Sequence, residues 1–399
     1  MRKELVRFTL LQLFLYAFMG AFTPYMIAMG LGRGFSQTSV SIAVSFQMIC
    51  VLLSNVFWGR LADWLQSSKK IFILTIAMCG VIQILLYFSR GFGSFFCIYG
   101  LFGFMNGAVG VLLDSWLLRT ISYDIAVFRK IRSAGSLGYA ATIAISGRLV
   151  ESVGYGSAAL LSGVLVAVTI ALCFGTGEVR MPETAKKDCG GKGMDFLKSP
   201  VYVTWLILLL LIGIATSPVG NMKIVILERV GAGASELGID GLIGCAAQFV
   251  MFFLVSRLEK YSPVIRMMFI CLCVMLGLAL YIAAGNVVMV YAASMLFYAI
   301  FSIINPSTRE IVRDHVPLQH QTAATGIADA FSNNVSTMVA MLYSGAVSDR
   351  YGINMLLTVC MYFALLTMLI CFGLLIRNSG MRAGRRGRRL RRPYGQAKI

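Results

Sequence analysis

Of 399 residues, 58% are hydrophobic and 13% are charged, about half the charged share of a soluble domain. That balance excludes a soluble globular enzyme and makes lipid the expected solvent. The formal charge is +18, but the Lys and Arg fall between apolar stretches instead of forming a stripe. This excludes a nucleic-acid surface and fits the cationic bias of cytoplasmic loops.

A membrane helix needs about 20 mostly apolar residues. Charge-free windows run over 8–32, 34–59, 71–89, 91–113, 133–147, 152–177, 199–222, 241–256, 267–308 and 351–376, with 319–348 interrupted only by Asp329. The windows 133–147 and 241–256 are short and extend at their ends. The stretch 267–308 is too long for one span and divides at Ala284-Gly285-Asn286. The fold class expected is an all-α membrane protein of twelve transmembrane helices in two pseudo-symmetric six-helix bundles. The first bundle covers 1–179 and the second 200–377, joined by a cytoplasmic linker, 180–199, rich in Pro, Gly and mixed charge. A basic tail, 378–399, follows. It reads as a solvated segment that fixes topology, with anionic headgroups or RNA as rival contacts.

With the N-terminus inside, most of the 35 Lys and Arg fall in inner loops 60–70, 119–131, 180–198, 257–266 and 309–320 and in both termini. Arg33, Arg90, Arg148, Arg229 and Arg350 fall outside. The asymmetry places both termini in the cytoplasm of a cell with a bacterial-type inner membrane. The halves look related: residues 147–154 and 345–352 each begin and end with glycine around a polar pair, and each separates two apolar windows. Such internal symmetry is what transporters built from repeated halves show.

Ionisable groups within a span are costly and usually face a cavity or a partner. Asp114 follows the fourth apolar window and Arg132 opens the fifth. On neighbouring antiparallel helices they form either a substrate-binding pair in a central cavity or an interhelical salt bridge. Tyr139 lies two turns deeper than Arg132 on the same face, placed to stack on a ring or to pack. Gln12, Tyr16, Tyr25 and Gln47 are further cavity candidates. Lys223, near the outer end of span seven, either lines the cavity or snorkels to headgroups, and its position favours snorkelling. Asp329, two turns into span eleven beside Asn333 and Asn334, is the candidate protonation site. The ten Cys sit mostly inside apolar runs as packing residues, and His315 and His320 fall in an inner loop. No phosphate loop, GxSxG, HExxH or metal cluster occurs, so no cofactor, no metal and no enzyme activity are expected.

The loop after span two reads Gly59-Arg60-Leu61-Ala62-Asp63-Trp64-Leu65-Gln66-Ser67-Ser68-Lys69-Lys70. With the spans and the mid-chain linker it resembles the major facilitator superfamily, whose pattern there is a glycine, an aspartate four residues on and a basic cluster. The resemblance implies that Gly59, Asp63, Lys69 and Lys70 form a conformational-switch loop. The run from Phe128 to Tyr139 resembles the span-five signature of the oligosaccharide–proton symporter branch, which is lactose permease-like. By that resemblance Arg132 matches a sugar-binding arginine, Asp114 falls on a sugar-binding glutamate and Tyr139 falls on a stacking tryptophan. Two departures exclude lactose as the expected substrate. Span ten has no His or Glu, and span eight, read from residue 241, offers Gln248 but no carboxylate. Coupling would then rest on Asp329 or Asp114.

The expected function is secondary active transport of a small polar solute (a sugar, nucleoside or aromatic acid) by proton-coupled symport. A multidrug-type efflux antiporter and an uncoupled facilitator are the alternatives. The expected partners are the solute, a proton and the bilayer, for a monomer that binds no nucleic acid.

Overall fold

The computed structural model describes residues 2–122, 124–178 and 195–390, with side chains at all of these except 2, 63, 125, 195, 252, 256, 319, 322 and 378–390. Most of the expected linker 180–199 and the end of the tail, 391–399, therefore lie outside the described residues. The described chain is helical throughout, without strands. In order the helices are α1 Arg2–Ala21, α2 Met26–Gly32, α3 Gln37–Trp64, α4 Ser68–Phe88, α5 Phe92–Asn106, α6 Val109–Thr120, α7 Ile125–Val153 and α8 Tyr155–Gly175. After 195 they are α9 Pro200–Asn221, α10 Lys223–Arg229, α11 Ala234–Leu258, α12 Pro263–Ala283, α13 Val287–Ala299, α14 Phe301–His315, α15 Gln321–Asp329, α16 Ser336–Tyr351 and α17 Ile353–Leu390. A π-helical turn, Ala330–Val335, joins α15 to α16.

Among the described residues, ten helices are long and apolar enough to cross a membrane. The windows at 133–147 and 319–348 fall on α7 and on the α15–α16 run, which are not among the ten. The physical reason is their low apolar content: 133–147 holds Ser133, Gly135, Ser136, Gly138 and Ser146, and the α15–α16 run holds Ser332, Asn333, Asn334, Ser336 and Thr337 besides its charges. Both helices pack among apolar ones, α7 between α1 and α11, and α16 between α3 and α9. The solvent of the other helices shows on their outer faces, where Leu160 is 71% exposed and Phe174 76%. Large apolar side chains that are both numerous and exposed mark a lipid-facing surface.

Helix ends sit where side chains can satisfy the free backbone groups. The Asp124 carboxylate accepts from the backbone N–H of Ala126 at 2.9 Å and of Val127 at 3.1 Å, so α7 begins well before the first apolar window residue. Arg132 therefore lies two turns inside its helix and does not open it. Asn286 accepts from Met289 N–H at 3.0 Å and starts α13, as the Ala284-Gly285-Asn286 break requires. The loop expected at 60–70 is shorter than the sequence suggested. Helix α3 continues to Trp64, so Gly59 and Asp63 lie on a helix, and the Asp63 side chain is outside the described residues.

Two seams hold the first part of the chain to the second. In one, α3 packs on α16: a side chain at Gly345 would meet the Gln37 carbonyl, and Ser45 Oγ donates to the Met338 carbonyl at 3.0 Å. The Asp349 carboxylate closes that seam, accepting from Gln37 N–H at 3.1 Å, Thr38 N–H at 2.7 Å and the Thr38 hydroxyl at 2.6 Å. A carboxylate on the first N–H groups of a helix also meets the positive end of its dipole. In the other seam, α7 packs on α11, with Gly147 lying against the Ala234 carbonyl and Gly238 against the Ile143 carbonyl. The first glycine of each repeated octad thus serves a close helix approach. The second glycine, Gly154 or Gly352, ends its helix at a φ of +98° or +82°, which favours glycine.

The seam yields a direct expectation. Ser41, one turn from Thr38, is 1% exposed. A Ser41→Cys protein should be inert to a membrane-permeant maleimide, and adding Asp349→Ala or Gly345→Val should raise labelling several-fold. Labelling mapped by mass spectrometry checks this, and unchanged protection would show that the seam does not depend on these residues.

Candidate functional site

Four of the residues singled out from sequence come together. Asp114 of α6 is held from two helices. Gln12 of α1 donates from Nε2 to its Oδ1 at 2.9 Å, and Arg132 of α7 donates from Nη1 to its Oδ2. The Arg132 guanidinium lies 5.7 Å from the centre of the Tyr16 ring. Gly135, one turn past Arg132, makes room for that ring, because a side chain there would meet Tyr16 Cδ2. The close fit of α1 on α7 comes from Gly138, whose hydrogen faces the Leu13 carbonyl. Small residues allow this approach in membrane helices. Gln12 is fully buried, and its Oε1 has no partner among the described residues. The pair itself is reachable, since the Arg132 side chain is 42% exposed and Asp114 22%. The guanidinium donates to Asp114 and also faces the Tyr16 hydroxyl, and its remaining N–H donors can bind hydroxyl or carbonyl oxygens.

Tyr139 is not part of this cluster. It is half-buried and lies close to Tyr25 of the segment after α1, Cys245 of α11 and Tyr298 of α13. Tyr25 and Gln47 do not line a cavity either. Tyr25 is fully buried and donates to the Ile143 carbonyl at 2.5 Å, and Gln47 packs beneath Gly103. Lys69 is tied into the end of α8. Its Nζ donates to the Thr176 carbonyl at 2.7 Å, and its backbone N–H donates to Glu178 at 2.9 Å, tying the start of α4 to the end of α8. The Lys70 backbone N–H donates to the capping Ser67 hydroxyl at 3.1 Å.

The sequence reading of Lys223 is overturned. Its side chain does not snorkel. It is 3% exposed, and its ammonium lies 3.5 Å from Asp240 Oδ2 of α11. The same ammonium donates to Ser294 Oγ of α13 at 2.9 Å and to the Tyr281 hydroxyl of α12. It also sits 4.3 Å from the Tyr281 ring centre and 5.6 Å from that of Tyr298. Ser294 in turn donates to Asp240 Oδ1. Snorkelling fails because Lys223 opens α10 just after the Asn221–Met222 break and its side chain is packed against α11, α12 and α13. The uncharged window from residue 241 leaves out Asp240; the helix starts at Ala234, so span eight does carry a carboxylate. An acidic residue flanked by Gly238 and Gly241 was the available signal.

A cavity of about 310 Å³ lies in front of this cluster. Its walls include Met48 of α3, Asn221 of α9, Tyr298 of α13, and Asn333 and Asn334 of the π-helical turn. π turns of this kind occur mostly as single insertions in α-helices and recur at functional sites. Asp329 precedes the turn and is exposed; its carboxylate makes no hydrogen bond or ion pair with another described residue, and Arg309 of α14 is the opposing charge nearby.

The MFS_1 like family matches residues 5–359 of this sequence. The chain belongs to that family. It is a transporter of the major facilitator type, a multi-pass membrane protein and not an enzyme. The nucleoside transporter NupG superposes with a TM-score of 0.79 at 16% identity, over 93% of this chain and 98% of that one. A POT family transporter in complex with 5-aminolevulinic acid superposes with a TM-score of 0.73 at 12% identity, over 94% and 95%. An uncharacterized transporter of Bacillus subtilis (strain 168), YwbF, is 21% identical over 319 residues, 80% of each chain.

The buried pair in the second part of this family member gives a stability test. Lys223→Met should leave the Asp240 carboxylate uncompensated and cost about 3–5 kcal/mol, whereas Lys223→Met combined with Asp240→Leu should recover most of that loss. Thermal unfolding of purified protein in detergent reads both variants, and a double variant no better than the single would show that the pair is not a unit.

Proposed function

We propose that this transporter is a secondary active carrier of a small polar solute, in the range of sugars, nucleosides and aromatic acids, by proton-coupled alternating access. The observation that carries the reading is the Asp114–Arg132 pair, buried enough to be paired and exposed enough to be reached. Arg132 holds solute oxygens with its remaining donors, Asp114 and Gln12 fix the guanidinium, and Tyr16 offers its ring face beside it. The likeness to NupG, a nucleoside transporter by its description, supports a solute of this size. Two bundles, 1–179 and 200–377, rock about this centre, with the α3–α16 and α7–α11 seams closing the outer end and both termini in the cytoplasm of the inner membrane. The carrier works as a monomer.

Asp329 is the residue that exchanges the coupling proton. Both Asp114 oxygens are already engaged, by Gln12 and Arg132, whereas the Asp329 carboxylate has no hydrogen-bond partner among the described residues. Solute and proton must favour different states of the cycle for coupling to occur.

Two experiments test the proposal. Arg132→Ala should abolish solute binding and uptake while the protein still inserts and unfolds near the parental temperature; retained uptake would remove the pair from the site and favour a polyspecific efflux pump. Asp329→Asn should flatten the pH dependence of uptake in proteoliposomes, while a pH profile like that of the parent would clear Asp329 of coupling and favour a facilitator.

A further inference from the structure

We infer that the π-helical turn Ala330–Val335 is the specificity wall of the solute site, and that the solute it admits is uncharged and ring-bearing, with hydrogen-bonding groups along one edge. The inference rests on the transport reading above and narrows its solute class.

Charge comes first. The two ion pairs already described are each internally matched. Arg132 is bound to Asp114, and Lys223 lies 3.5 Å from Asp240. A solute carboxylate would have to draw Arg132 or Lys223 from its partner and strand a carboxylate in a poorly solvated place, a heavy penalty. A neutral solute leaves every pair intact, which separates sugars and nucleosides from aromatic acids.

The cavity then adds shape and edge. Its volume of about 310 Å³ sits at the small end of ligand pockets, which span about 300–1,000 Å³. Aromatic rings of Phe297, Tyr298 and Phe301 form one part of the lining, and side-chain amides form another. Asn221 spends its NH₂ on the Ser217 carbonyl at 2.9 Å, and Asn333 spends its own on the Asp329 carbonyl at 3.1 Å, so both keep the amide oxygen in the clear. Asn334 bonds to no described residue and keeps donor and acceptor together. A carboxamide presents an N–H and a C=O side by side, the complement of a heterocyclic imide or lactam edge. Ser332, Asn333 and Asn334 of the π turn all line the cavity.

The experiment uses the full chain in detergent or nanodiscs, with titration calorimetry and thermal shift against three probes. Uridine is an uncharged ring with an imide edge, lactose is uncharged without a flat ring, and benzoate is a charged flat ring. Uridine is expected to bind and to stabilise the protein, with benzoate and lactose at least tenfold weaker. Asn334→Leu should weaken uridine about tenfold or more and Asn333→Leu several-fold, with the unfolding temperature of the unliganded variants near that of the parent. Tighter binding of benzoate or lactose, no binding of uridine, or full uridine affinity in both leucine variants would each overturn the inference. The two readings part company in the variants. Loss of uridine binding in Asn334→Leu but not in Arg132→Ala supports the amide wall and sinks the Arg132 site; the reverse sinks the amide wall alone.

Discussion

A charge inside a bilayer has to bring its own counter-charge, and this constraint organises both parts of the molecule. Arg132 and Asp114 meet across α6 and α7 under the Gln12 amide, and Lys223 and Asp240 meet across α10 and α11 under Tyr281 and Ser294. In each case the ions fix the mutual rotation of neighbouring helices, because a rotated helix would present a bare charge to hydrocarbon. The two pairs differ in wetness. The first keeps a reachable guanidinium, whereas the second is almost wholly buried and borders the cavity only through Lys223.

What the sequence revealed follows from how strongly each feature is written locally. Apolar runs of span length and the Ala284-Gly285-Asn286 break are local, and the helices follow them. Asp114 and Arg132 were readable because each sits beside a long uncharged run on consecutive helices, so only one short connection had to be imagined. Lys223 and Asp240 were harder. Their pairing depends on the bend at Asn221–Met222 and on where α11 starts, and neither is visible in a hydropathy window. Asp240 lay one residue outside the window assigned to its span, and the windows treated every charge as a boundary. The same habit shortened α3 at Gly59 and α7 at Ser133, where the helices in fact run on through Arg60 and Lys130. The π turn left no readable trace beyond the polar run Ser332-Asn333-Asn334, because an inserted residue changes phase without changing composition.

The cavity owes its character to helices that depart from regularity. Helix α9 gives way to α10 after Pro218, α13 to α14 at Ile300, and α15 to α16 through the π turn. Broken backbone at membrane depth is tolerated where it faces a wet interior, and all three breaks contribute residues to the cavity lining. The pairs of facing helices are regular and tightly packed, and the irregular ones surround the space between them. Rigid contact and adjustable lining are thus separated within one bundle.

The octad glycines have a mechanical consequence. Gly147 and Gly345 both lie near the end of a helix, each pressed against the opening turns of a helix from the other part of the chain. Both contacts are made at the same end of the molecule, so prising one apart tilts the bundles and loads the other. A Cβ at either position would run into a facing carbonyl oxygen, of Ala234 at Gly147 and of Gln37 at Gly345, so the closeness of both contacts is set by a single hydrogen atom at each.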